Sequence, residues 1–104
     1  MPEAIGLLVV FSGIHQTLDA ETALRARGVA TDLVPTPVAI TVGCGFAILT
    51  PPSAEIPPWW YDLDSRRVLY RVVVKEGRKV YEEIGRCEGP CVPPTGDHEQ
   101  EGPR

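Results

Sequence analysis

In the stretch TPVAITVGCGFAIL, residues 36–49, a cysteine sits between two glycines, Gly43-Cys44-Gly45, where a proline-broken segment gives way to a β-type run. A cysteine that only fills space needs no glycine on either side. A reactive one gains from them, because glycine accepts positive φ and lets backbone N–H groups converge on an anion. A free thiol titrates near about 8.5, and a helix N-terminus or a nearby cation lowers that value. A thiolate or persulfide anion is what such a site favours. The plain alternative is a small buried residue at a strand start, with the glycines marking a bulge.

Two further cysteines, Cys87 and Cys91, form CEGPC, a C-x3-C spacing within the range of a zinc knuckle. A closed zinc site needs four ligands, and no second pair is present. Cys44, His15 or His98 would have to complete it, so the expectation is no metal and no cofactor. A labile Cys87–Cys91 disulfide, or a resolving thiol for Cys44, are the other uses open to this pair. Three cysteines argue against a disulfide scaffold.

The elements that must position Cys44 begin with IGLLVVF, residues 5–11, an apolar run suited to a strand buried on both faces. Ser12 reads as the N-cap of a helix over IHQTLDAETALRARG, with Gly13 easing the turn and Gly28 as the stop. At 100° per residue Ile14, Thr17, Leu18 and Leu24 share one face, with Glu21 in its middle. Glu21 pairs with Arg25 at i,i+4, or is a buried carboxylate orienting something above the sheet. VATDLVP, residues 29–35, reads as a second strand and GFAILT as a short third. Four prolines in PPSAEIPP exclude a long helix before Trp59, leaving room for one short turn around 59–65. RRVLYRVVV and RKVYEEI, joined at KEG, form a hairpin. The sequence after Gly85 cannot bury a core, so residues 1–85 are expected as one domain and 86–104 as a disordered tail.

This order predicts an α+β fold with a ferredoxin-like split β-α-β start. The sheet is mostly antiparallel, the second helix is short or absent, and a β-hairpin closes the C-terminal side. In that topology the first two strands run parallel, with the third antiparallel between them. The end of strand one, the start of the helix and the start of strand three then share one edge. Cys44, Gly43 and Gly45 come to lie near Ser12, Gly13 and His15. The glycines and the helix supply backbone donors, and His15 tunes the thiol.

The bulk numbers narrow the class. One hundred and four residues suffice for one domain. No apolar run reaches the roughly 18 residues of a membrane span. The first residues lack a basic start and a cleavage site, so a cytoplasmic protein is expected. A net charge of -4 with dispersed arginines disfavours a phosphate backbone, and nucleic acid is not an expected partner.

Over residues 6–50 the chain resembles a small bacterial family of Se/S carrier-like proteins. The resemblance rests on Phe11, Ser12, His15, Ala20, Glu21, Leu24, Gly28, Pro35, Pro37, Cys44 and Gly45, in that order. It implies that Cys44 is the sulfur or selenium attachment point. It further implies a carrier rather than a turnover enzyme, with donor and acceptor proteins as partners. The family continues into a second helix, which Pro51, Pro52, Pro57 and Pro58 disfavour here. Two other classes stay open. One is a regulatory or protein-interaction module with a structural cysteine and Trp59-Trp60-Tyr61 as contact surface, although these aromatics equally suit a cover for an open sheet face. The other is a zinc-binding interaction protein using Cys87 and Cys91.

Overall fold

A computed structural model describes residues 3–40 and 45–92. The elements are β1 (Glu3–Phe11), α1 (Ile14–Ala26), β2 (Asp32–Pro35), β3 (Phe46–Thr50), a 3-10 turn (Pro58–Asp62), β4 (Arg67–Lys75) and β5 (Arg78–Cys87). The strands form one sheet in the order β2-β3-β1-β4-β5, and every paired neighbour is antiparallel. β1 and β2 are therefore parallel with β3 between them, as the split β-α-β start requires.

β1 is the centre of the molecule. Leu7 through Phe11 are each at most 2% exposed, so both of its faces are covered. Leu7, Val9 and Phe11 join Ile48, Leu69, Ala20 and Leu24 beneath the helix. Leu8 and Val10 join Ala47, Val68, Tyr70 and Val72 on the opposite face, where Ile40 from the connection before β3 packs on them.

The helix begins where expected, but Ser12 is not its cap. Gly13 is the N-cap, extended at φ -153 and ψ 165, and no side chain caps the helix. Its carbonyl accepts the Thr17 N–H at 3.1 Å and the Thr17 hydroxyl at 2.9 Å. That bond satisfies the hydroxyl and lets Thr17 lie fully buried. The buried stripe is Thr17, Ala20 and Leu24, while Ile14 and Leu18 are each 41% exposed. The expected face holds at Thr17 and Leu24, with Ala20 buried beside them in place of Ile14 and Leu18. Glu21 makes the i,i+4 ion pair with Arg25 at 3.2 Å. Gly28 takes φ +84 just beyond the C-cap, the left-handed stop that favours glycine.

No second helix follows β3. Trp59, Trp60 and Leu63, from the 3-10 turn and the residue after it, fill that place on the helix side of the sheet. Trp59 and Trp60 are therefore core, which removes them as a contact surface. Gly85 lies against Trp60, and a Cβ there would be in ordinary contact with the indole at 3.4 Å. The β4–β5 hairpin turns through Glu76 at φ 53 and Gly77 at φ 76, between the paired Lys75 and Arg78. Two successive positive φ values give the turn whose twist matches paired strands.

β5 runs past Gly85 to Cys87, so the boundary expected at 85 falls inside a strand. Cys87 is buried in the core beneath the helix and is joined to Cys91 by a disulfide. Residues 93–104, with His98, lie outside the described residues.

Candidate functional site

Strand register brings a terminus of all five strands to one end of the sheet. Val10 pairs with Ala47, so the ends of β1 and β3 meet. Phe11 pairs with Arg67, and Arg67 with Cys87. Ser12 and Gly13, which follow β1, and Gly45, which precedes β3, therefore share the edge that the topology predicted. Ser12 is exposed, and His15 is exposed on the first turn of α1. Gly45 is exposed too, and its carbonyl accepts the Thr36 N–H at 2.9 Å. Gly43 and Cys44 themselves lie outside the described residues.

The chemistry available at this end is anion stabilisation. α1 starts here without a side-chain cap, and the first N–H groups of a helix have no partner within it. Beside Ser12 lies an open cavity of about 310 Å³, with Val10 and Val68 among its walls and Arg66, Arg67 and Arg86 around it.

The three arginines differ in what holds them. Arg67 is 1% exposed. Its Nη1 donates to the Ser65 carbonyl at 2.6 Å and the Gly89 carbonyl at 2.8 Å, and its Nη2 donates to the Trp60 carbonyl at 2.9 Å. The guanidinium lies 4.5 Å from the centre of the Trp60 ring, within reach of a cation–π contact. Its Nε is buried with no acceptor. Burial pulls the Arg67 guanidinium below its ordinary value, and Asp64 acts in the other direction. It keeps its charge, because an arginine starts so far above neutrality.

Arg86 forms a two-pronged pair with Glu83, both bonds at 3.0 Å. Those hydrogen bonds hold the Glu83 carboxyl below the usual range and raise Arg86. Arg66 bonds Glu88 through Nε at 2.8 Å, and both side chains are largely exposed.

Sequence reasoning missed these arginines. Arg66-Arg67 read only as the start of a strand, and Arg86 fell in the expected tail. The available signal was that a hairpin brings residues 66–67 and 86 together at its open end. The zinc reading loses ground here, because Cys87 and Cys91 are bonded to each other. Among the described residues no three His, Cys, Asp or Glu side chains converge. Nor is any helix among them long and apolar enough to cross a membrane.

No curated protein and no solved structure matches the chain. Residues 6–56, just under half of the chain and spanning Ser12, His15 and Cys44, match the family described as "Putative Se/S carrier protein-like".

Proposed function

We propose that this protein carries sulfur or selenium on Cys44 and relays it between proteins. The observation that carries the reading is that one family stretch contains both Cys44 and the strand-to-helix turn whose edge the start of β3 shares. An uncapped helix start and a cluster of arginines make that end of the sheet favourable to an anion.

In the loading step the Cys44 thiolate attacks the outer sulfur of a donor protein's persulfide. A new S–S bond forms on Cys44, and the donor's S–S bond breaks. The donor sulfur leaves as a thiolate with the electron pair, and the transferred sulfur keeps its proton. An acceptor thiolate then repeats the exchange on Cys44. The protein turns over no substrate of its own. Ser12, Gly13, Gly43 and Gly45 supply the surroundings of the anion, and His15 tunes the thiol.

The Cys87–Cys91 disulfide makes the test clean. With these two joined, Cys44 is the remaining cysteine of the chain's three. Thiol labelling of the oxidised protein therefore reads Cys44 alone. The expected result is an alkylation pKa below the unperturbed value of about 8.5. A protein persulfide should add one sulfur atom by intact mass, and Cys44→Ser should abolish that gain without altering the unfolding midpoint. A Cys44 that labels only after unfolding would leave the carrier without a chemical centre.

A further inference from the structure

The cavity beside Ser12 contains the arginines that make this end of the sheet favourable to an anion, and its composition is unusual for this chain. Three of the ten basic residues of an acidic protein line it together. Strand register explains how they meet. Arg86 lies opposite Val68, and Arg67 lies opposite Cys87. Arg66 and Glu88 come one step beyond that last pair and form an ion pair across the hairpin. Arg66 and Arg86 thus stand near one another on the open end of the hairpin. Val10 and Val68, which carry the same face of the sheet, bring apolar surface to the cavity.

We propose that this cavity binds a small oxyanion carrying two negative charges, held by Arg66 and Arg86 with the Ser12 hydroxyl as a further donor. Arg67 contributes a fixed positive charge. Its Nη groups are committed to backbone carbonyls, and its burial keeps the charge in place whatever the ligand does. Arg66 spends only Nε on Glu88, and Arg86 spends Nε and Nη2 on Glu83. Both therefore keep further N–H donors in the fork that suits oxyanions. Exposed ion pairs of this kind contribute little in water, so a divalent anion competes with each carboxylate. The volume, about 310 Å³, accommodates a tetrahedral or pyramidal oxyanion with water around it. None of the groups involved is a thiol, so the site does not depend on the carrier reading.

The test is an NMR titration of the full oxidised chain with sulfate, following the arginine Nε–H signals and the Ser12 amide. Sodium chloride at matched ionic strength is the reference, and selenate and nitrate are parallel arms. Sulfate and selenate should give saturable shifts confined to Arg66, Arg86 and Ser12, and singly charged nitrate should bind at least tenfold more weakly. Arg66→Gln with Arg86→Gln should weaken sulfate at least tenfold, and both side chains are exposed enough for the fold to survive. Glu88→Gln releases Arg66 from its carboxylate and should tighten sulfate several-fold. Shifts that sodium chloride reproduces, or affinity untouched in the double arginine variant, would overturn the site. A Glu88→Gln variant no tighter than wild type would equally remove the argument that the anion competes with the carboxylate.

Discussion

The two sides of β1 are built in different ways. On one side stand α1, β2 and β3, the family stretch, with short strands of four and five residues and a long connection that leads to Cys44. On the other stands the β4–β5 hairpin, with strands of nine and ten residues, two buried tryptophans, a buried arginine and a disulfide. The first side places the uncapped start of α1 and Gly45 at one end of the sheet. The second gives β1 its other neighbour, without which the apolar run 5–11 would present an unpaired edge. The family stretch therefore depends on residues outside it to bury its own central strand.

The hairpin side also solves the missing-helix problem. Prolines at 51, 52, 57 and 58 prevent a helix from covering the sheet beside α1. Trp59 and Trp60 cover it from a short turn, with large apolar area per residue. Trp60 lies against Gly85 and takes the Arg67 guanidinium over its face. Arg67 in turn needs carbonyl acceptors. One of them, that of Gly89, lies inside the loop closed by Cys87–Cys91. These four features are one assembly.

If that assembly holds the hairpin side together, Trp60→Ala should have the largest effect. Replacing a buried tryptophan by alanine costs about 3–5 kcal/mol, a large share of the stability of a small domain. Urea unfolding of the variant should show that loss, and a midpoint close to wild type would break the assembly argument.

A smaller effect is expected from Cys87→Ser with Cys91→Ser. A disulfide closing so short a loop contributes about 2 kcal/mol through the unfolded chain. Sulfur loading on Cys44 should persist in this variant, because it touches only the hairpin side. Loss of loading with the fold intact would show that the two sides are chemically coupled.

The smallest effect sharpens the comparison at Tyr70, on the face opposite the helix. Burial raises its phenol above the usual value, Glu83 adds to this, and Arg86 opposes it. In the unfolded chain Tyr70 ionises first, near pH 10, so the folded state holds more protons and stability falls as pH rises beyond that point. Urea midpoints compared between pH 9 and pH 11 should fall less for Tyr70→Phe than for wild type. Equal falls would place Tyr70 in water.

Much of the fold was legible because its signals are local. The apolar run of β1, the positive-φ stop at Gly28, the KEG turn and the prolines after β3 each act on their own few residues. The Glu21–Arg25 pair followed from spacing alone. The helix face lies as expected at Thr17 and Leu24 and differs at Ile14 and Leu18, which are half exposed, and at Ala20, which is buried, because apolar type alone does not fix how a helix is rotated on a sheet. The arginine cluster was missed for a different reason, since its one signal was the hairpin's pairing register. Arg66, Arg67 and Arg86 become neighbours only when β4 and β5 pair, and nothing in their flanking residues marks them as converging.

The sequence by itself determined the element order, the doubly buried central strand, the hairpin and the absence of a long second helix. It also singled out Cys44 by its glycines, and its ordered residues carried the family resemblance. Only the tertiary structure decided that Arg67 is buried over Trp60, that Cys87 and Cys91 meet, and that three guanidinium groups share a cavity with Ser12. Periodicity and punctuation act over a turn or a strand, and one chain suffices to read them. A site at a sheet end depends on register between strands some twenty residues apart, and that register is set by the packing of the whole core.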